Sequence, residues 1–167
     1  MADKTLLLLR HAKSDWPEDV PDHDRPLAKR GRRDAPRAGR WLHTHGYRPD
    51  VVICSTALRT RQTWDLVASN LGTSPAPTFE PRAYAASAQT LLYLARELQP
   101  VTRVALVIAH NPGISELASI LAASEGTTRR TIGFPTTGLG VLTFAGTWAD
   151  LAPGAARLDA FVTPADM

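Results

Sequence analysis

Three uninterrupted apolar runs constrain the fold of this chain more than any other feature of its sequence. They lie at residues 5–9, 51–54 and 104–109, and segments with helical periodicity separate them. Short apolar runs of this kind suit strands that are buried on both faces, as in a parallel sheet covered by helices. The sequence therefore predicts an α/β fold, a three-layer sandwich in which helices flank a mostly parallel central sheet.

The segments between and after these runs carry apolar residues at three- and four-residue spacing. This spacing predicts helices over residues 27–42, 57–71, 87–98 and 114–123, and two further strands are predicted at 140–144 and 157–162. Ser55 is a candidate N-cap for the second helix. Pro36 leaves two alternatives for the first: a helix capped by Asp34 with Pro36 in its first turn, or a longer helix that kinks at Pro36.

The length of 167 residues is typical of one domain, and we expect a single domain over residues 1–167. No apolar run approaches the roughly 20 residues that cross a bilayer, and the first residues lack the features of a secretory signal. The one cysteine, Cys54, cannot form an intrachain disulfide, which fits a reducing compartment. We therefore expect a cytoplasmic protein without membrane association, and leave open whether it is a monomer or a small homo-oligomer.

The basic residues are concentrated in one segment. The net charge is +3, and residues 29–40 are rich in arginine directly after an acidic segment at 18–24. Proteins that bind single-stranded nucleic acid interleave such charges with aromatic residues. This segment offers only Trp41 near its end, so we expect no nucleic-acid partner. The basic segment either docks an acidic phosphoprotein or is simply a solvated helix face.

Polar side chains suited to phosphate chemistry follow each of the three main apolar runs. Arg10 and His11 end the first run, Ser55 and Arg59 follow the second, and His110 follows the third. Because the carboxyl ends of parallel strands meet at one edge of a sheet, we expect these side chains to lie close together. Arginine binds phosphate oxygens with a planar fork, and imidazole is a nucleophile and proton carrier near neutral pH. The pattern indicates phosphoryl chemistry.

These residues also match a family pattern in their order and spacing. The segment 7–16, with Arg10 and His11, resembles the Arg-His-Gly signature of the histidine phosphatase superfamily. The segment 55–63 resembles its second motif, and 107–113 resembles its third. The resemblance also includes Arg25-Pro26-Leu27. The short chain and the Arg-His-Ala-Lys-Ser opening most resemble the SixA-type phosphohistidine phosphatases, so the fold is expected to be phosphoglycerate mutase-like.

The resemblance implies a phosphatase that forms a phosphohistidine intermediate on His11. It implies that Arg10, Arg59 and His110 surround the phosphoryl oxygens, and it suggests Ser14 as a further phosphate contact. It implies no metal and no other cofactor, because basic side chains supply the positive charge that magnesium supplies in other phosphoryl-transfer enzymes. The substrate is expected to be a phosphorylated protein or a small phosphorylated molecule.

The chain departs from the family pattern at two positions that bear on chemistry. Ala12 stands where the usual signature has glycine, and we expect the backbone there to tolerate alanine. Pro81 stands where the mutases have their acidic proton donor, which leaves the neighbouring Glu80 as the candidate general acid or as a solvated loop residue. An imidazole leaving group, with a pKa of about 6.5, departs more easily than an alkoxide. This favours phosphohistidine over alkyl phosphates as the substrate.

Other functions are weighed against this interpretation. A phosphomonoesterase for small metabolites and a non-catalytic phosphate-binding module both remain alternatives, whereas a mutase is disfavoured because no long insertion encloses the substrate. A cysteine phosphatase built on Cys54 would need arginine where Thr60 stands. His43 and His45 diverge on a helix and His23 lies in a loop, so no metal site is expected.

Overall fold

A six-stranded sheet forms the centre of the structure, a computed structural model that describes residues 2–123 and 131–167. Its spatial order is β3-β2-β4-β1-β5-β6. The first four strands of that order run parallel, β5 is antiparallel to β1, and β6 is antiparallel to β5. The strands are β1 (Lys4–Arg10), β2 (Val51–Ser55), β3 (Thr78–Glu80), β4 (Val104–Ala109), β5 (Leu139–Phe144) and β6 (Arg157–Val162).

Helices cover both faces of this sheet. One face packs against α1 (Lys29–Thr44) and α2 (Leu58–Ala68). The other packs against α3 (Ala88–Arg96) and α4 (Gly113–Leu121). The predicted α/β sandwich with a mostly parallel sheet is confirmed. Within the described residues, every helix is too short or too polar to cross a membrane.

The alternation of side chains along β1 explains why its sequence is uniformly apolar. Leu6 and Leu8 pack toward α3 and α4, while Leu7 and Leu9 pack toward α1 and α2, and all four are fully buried. Successive side chains of a strand point to opposite faces, so a strand covered on both faces needs apolar residues at every position.

Some local predictions were wrong or incomplete. The strand β3 was not predicted, because it has only three residues and its single apolar residue, Phe79, forms neither an apolar run nor an alternating pattern. The first helix begins at Lys29 and continues through Pro36, with Asp34 buried in its interior instead of capping it. The second helix begins at Leu58 with Ala57 as its N-cap, so Ser55 does not cap it and is the last residue of β2.

The strand register brings the ends of three strands to one edge. Arg10 is paired with Ala109, the residue before His110, and Cys54 is paired with Ile108 on the other side of β4. The residues that follow β1, β2 and β4 therefore lie side by side, as expected for parallel strands.

Candidate active site

A pocket of about 160 Å³ lies at this edge of the sheet. Its wall contains Arg10, His11, Arg59 and His110, from all three of the predicted motifs, and also Ser14. The imidazole rings of His11 and His110 lie 5.2 Å apart, centre to centre. The full lining is Arg10, His11, Lys13, Ser14, Trp16, Arg25, Arg59, His110, Asn111 and Thr136. The pocket is strongly cationic, and none of these residues carries a carboxyl group.

One hydrogen bond fixes the tautomer of His11. Its Nδ1 lies 2.7 Å from the carbonyl oxygen of Ala12. Because a carbonyl oxygen only accepts, Nδ1 carries the proton and Nε2 of the neutral ring keeps its lone pair. The pKa of His11 is lowered to about 4, mainly by burial and to a smaller extent by the nearby charges of Arg59 and Arg10. At neutral pH the ring is therefore an uncharged imidazole with a free nucleophilic nitrogen.

The backbone at Ala12 accepts alanine, as expected. Ala12 is fully buried, and its φ is not in the positive range. Its N–H donates to Thr63 Oγ1 at 3.0 Å, which connects the loop after β1 to α2. The usual glycine is therefore not needed for backbone conformation at this position.

His110 is held by the end of β2. Its Nε2 lies 2.8 Å from Ser55 Oγ. Burial is the main reason that the pKa of His110 is lowered to about 3, and proximity to His11 and Arg59 adds to the effect. Ser55 was predicted as the helix N-cap, but Ala57 is the N-cap; the Ser55 hydroxyl accepts from the Ala57 N–H at 3.3 Å and also contacts this imidazole.

The described residues contain four buried side-chain polar atoms without a protein partner, and three of them belong to this pocket. These three are Arg10 Nε, Arg59 Nε and His110 Nδ1. Buried polar groups are nearly always hydrogen-bonded, and exceptions often mark functional sites. Nitrogen atoms from two guanidinium groups and an imidazole, gathered in a cationic pocket, suit a tetrahedral oxyanion.

Asp22 is a residue of this region that the sequence reasoning missed. Its carboxylate accepts hydrogen bonds from Arg25 at 2.9 Å, Arg59 at 3.1 Å and Tyr84 at 2.6 Å. The hydrogen bond from Tyr84 is the main reason that the pKa of Asp22 lies well below its usual range. The same bond raises the pKa of Tyr84. The only feature of the sequence that could have pointed to Asp22 is the acidic segment that precedes Arg25.

Arg25 is the second residue whose place was not predicted. It is buried, with 6% of its surface exposed. Its guanidinium donates to Ser14 Oγ at 2.6 Å and to the Asp15 carbonyl at 2.9 Å. The same group lies 3.2 Å from the centre of the Trp16 ring. The feature of the sequence that points to Arg25 is the Arg25-Pro26-Leu27 segment, which belongs to the family pattern.

Glu80 lies outside the pocket lining. Its carboxylate accepts hydrogen bonds from the backbone N–H of Arg82 at 3.0 Å and from the Arg82 guanidinium at 3.1 Å. These hydrogen bonds hold the pKa of Glu80 below its usual range. A proton donor needs a raised pKa and a position beside the leaving group, so the geometry gives no support to Glu80 as general acid.

The remaining candidate residues are occupied elsewhere. His23 Nε2 contacts Thr56 Oγ1 at 2.9 Å, His43 Nδ1 contacts the Leu71 carbonyl, and His45 Nδ1 contacts the Trp41 carbonyl. In residues 2–123 and 131–167, no three His, Cys, Asp or Glu side chains form a group that could hold a metal ion. Burial raises the pKa of the Cys54 thiol to about 12, so this cysteine is a poor nucleophile.

Comparisons with known proteins find a matching family model, similar sequences and similar solved structures. Residues 6–83 match the model of the histidine phosphatase superfamily, branch 1. The chain is 40% identical to an uncharacterised protein of Mycobacterium tuberculosis strain H37Rv, over 93% of this chain and 99% of that protein. It superimposes on a Nakamurella multipartitia protein described as a candidate phosphohistidine phosphatase SixA with a TM-score of 0.87 and 32% identity, covering 98% of each chain. An Agrobacterium tumefaciens protein of the same description gives a TM-score of 0.81 and 27% identity, over 96% of this chain and 98% of that one.

Proposed function

The chain belongs to the histidine phosphatase superfamily, in its SixA-type branch, and we propose that it removes phosphate from phosphohistidine in proteins, with His11 as its nucleophile. Because it belongs to this branch of the superfamily, the chain is a phosphatase. The observation that carries the proposal is the tautomer of His11: the Ala12 carbonyl accepts from Nδ1, which leaves Nε2 unprotonated in a cationic pocket.

In the first step, the lone pair of His11 Nε2 forms a bond to phosphorus as the bond to the substrate nitrogen breaks. The bonding electrons pass to the substrate imidazole, which leaves as a neutral ring when its other nitrogen carries a proton. Arg10, Arg59 and His110 contact the phosphoryl oxygens, where negative charge spreads in the transition state. Their unpartnered buried nitrogens supply these contacts.

In the second step, water attacks the phosphohistidine on His11 from the side opposite the P–N bond. The products are inorganic phosphate and the neutral His11 ring, again hydrogen-bonded to the Ala12 carbonyl. Lys13, Arg25 and the other basic side chains of the pocket provide the compensating positive charge in both steps.

The preference for phosphohistidine rests on the lack of a carboxylic acid proton donor among the described residues at the pocket. An alkoxide leaving group has to be protonated in the transition state. The described lining residues include no carboxyl group, and Asp22, which pairs with Arg59 beside the pocket, has a pKa well below its usual range and therefore holds no proton to donate. An imidazole with a pKa of about 6.5 needs no such donor when it carries its own proton. The geometry therefore suits a phosphoramidate substrate better than an alkyl phosphate.

The test compares turnover of free phosphohistidine with that of an alkyl phosphate of similar size, using wild-type protein and the His11→Ala variant. We expect at least a hundredfold higher kcat/KM for phosphohistidine, corresponding to about 3 kcal/mol of transition-state stabilisation. We also expect acid-labile phosphate trapped on the wild-type chain and none on the variant, which should retain its circular dichroism spectrum.

Each other outcome identifies a different function. Equal or better turnover of alkyl phosphates would show a phosphomonoesterase for small metabolites. Phosphate binding without turnover of either compound would show a non-catalytic phosphate-binding module.

A further inference from the structure

A row of basic side chains lies on the solvent side of α1. Lys29, Arg33 and Arg40 are exposed. They fall on one face of the helix, because positions separated by four or eleven residues differ in direction by about 40° or less. Arg30 and Arg37 lie beside them on the same side. We call this set the basic stripe: Lys29, Arg30, Arg33, Arg37 and Arg40.

One buried carboxylate lies beneath the stripe and balances only part of its charge. Asp34 contacts Arg30 at 3.9 Å, Arg33 at 3.5 Å and Arg37 at 3.9 Å, and its side chain is 5% exposed. Three guanidinium groups therefore share one negative charge, and Lys29 and Arg40 add two further positive charges. The surface keeps a large positive excess, which attracts an anionic partner.

The basic stripe begins at the mouth of the catalytic pocket. The guanidinium of Arg30 lies 3.4 Å from Thr136 Oγ1, and Thr136 lines the pocket. The N–H of Ala28 donates to the Lys13 carbonyl at 2.9 Å, and Lys13 also lines the pocket. A molecule whose phosphoryl group enters the pocket can therefore extend over the stripe.

An exposed aromatic ring stands at the same mouth. Trp16 is 74% exposed although it lines the pocket, and the Arg25 guanidinium lies over its ring at 3.2 Å. Arg25 is itself fixed by its hydrogen bonds to Asp22 and Ser14. A tryptophan held in place while exposed to water is typical of residues that dominate protein–protein contacts.

We propose that Trp16 and the basic stripe dock an acidic protein that presents its phosphohistidine to the pocket. The proposal rests on the proposed function and adds the surface by which the substrate is recognised. Acidic side chains around the phosphorylated histidine would pair with the stripe, and the protein surface beside the histidine would cover Trp16. Docking would raise kcat/KM for such a protein above that for free phosphohistidine.

The surface suits a protein better than a nucleic acid. Nucleic-acid binding of this kind needs aromatic rings available for stacking along the basic surface. The ring of Trp41, at the far end of the stripe, is already stacked on His45 at 4.0 Å.

The experiment uses two double variants that change the net charge equally. Lys29→Glu/Arg40→Glu reverses two charges of the stripe, and neither residue lines the pocket. Arg48→Glu/Arg103→Glu reverses two exposed charges that precede β2 and β4, at the opposite edge of the sheet. The probes are free phosphohistidine and two chemically phosphorylated proteins of similar size, one acidic and one basic.

For Lys29→Glu/Arg40→Glu we expect kcat/KM on the acidic phosphoprotein to fall about tenfold, mainly through KM, with turnover of free phosphohistidine unchanged. The control variant should lose less than threefold on the same protein, and the basic phosphoprotein should not be impaired by either variant. Raising the salt concentration should reduce the wild-type rate on the acidic protein alone. Arg33→Gln, which adds no negative charge beside Asp34, should give a smaller loss of the same kind.

Equal losses in the two double variants, or no loss in either, would overturn the docking surface. Strong competition by a single-stranded oligonucleotide at physiological salt would also overturn it, in favour of a nucleic-acid partner. These failures differ from failure of the proposed function, in which wild-type protein would not hydrolyse free phosphohistidine at all.

Discussion

Asp22 is the hydrogen-bond partner of Arg59. Its backbone carbonyl accepts from Arg59 Nη1 at 2.7 Å, and its carboxylate accepts from Arg59 Nη2 at 3.1 Å. Arg59 Nε stays without a protein partner among the described residues. One anion therefore orients this arginine, and in the proposed mechanism its Nε contacts a second, the phosphoryl group.

This relationship predicts that Asp22→Asn tightens phosphate binding. Asparagine can keep the hydrogen bond from Arg59 but removes the negative charge beside the incoming anion. Two like charges at about 4 Å in a well-solvated setting repel by about 1 kcal/mol, or roughly fivefold in affinity. Competitive inhibition by inorganic phosphate measures the change. Weaker inhibition would show that the charge of Asp22 serves chiefly to position Arg59.

The buried His11 predicts a specific dependence of stability on pH. Its pKa is lowered from 6.5 to about 4, so the unfolded chain binds more protons between these values. The contribution to stability is present above pH 6.5 and is lost as the pH falls toward 4. Between pH 7 and pH 5, His11 should account for about 2 kcal/mol of lost unfolding free energy.

Denaturant unfolding of wild type and His11→Asn at the two pH values checks this, because asparagine does not titrate. The variant should lose about 2 kcal/mol less than wild type on acidification. A titration of the His11 ring by NMR with a midpoint near pH 6.5 would contradict it.

The contact between Ser55 and His110 predicts that Ser55→Ala impairs turnover. Without the hydroxyl, the His110 ring loses its orienting partner and its preferred tautomer. We expect kcat/KM on phosphohistidine to fall roughly tenfold, or about 1.4 kcal/mol. Ser87→Ala is the matched control, since Ser87 caps α3 and is not among the residues that line the pocket. It should lower stability by about 1 kcal/mol and leave turnover unchanged. Equal turnover in the two variants would exclude a role for Ser55.

The close approach of Gly31 to the Lys13 carbonyl predicts that Gly31→Ala disturbs the pocket. A Cβ at position 31 would collide with the backbone of Lys13, two residues after His11. We expect a stability loss of about 1–3 kcal/mol and reduced turnover. Gly133→Ala is the control, because a Cβ there meets no atom and the φ of Gly133 is not positive. Unchanged melting temperature and turnover for Gly31→Ala would contradict the contact.

The family pattern in the sequence predicted many of the residues that line the pocket. Arg10, His11, Arg59 and His110 follow the ends of apolar runs, and parallel strands bring such ends to one edge whatever the details of packing. The roles of these four residues stay predictions for the experiments above. Ser14 was also placed at the pocket, where it accepts a hydrogen bond from Arg25.

The amino-acid sequence by itself determined the layers of the fold and the edge at which the phosphate chemistry is expected, because apolar periodicity and strand direction are local properties that a linear pattern records. Only the tertiary structure decided that Asp22 pairs with Arg59, that Ser55 supports His110, and that Glu80 pairs with Arg82 outside the pocket lining. The physical reason is that hydrogen-bond partners of polar side chains depend on where loops meet. Residues 22 and 59, or 55 and 110, come together only when the whole sheet has assembled.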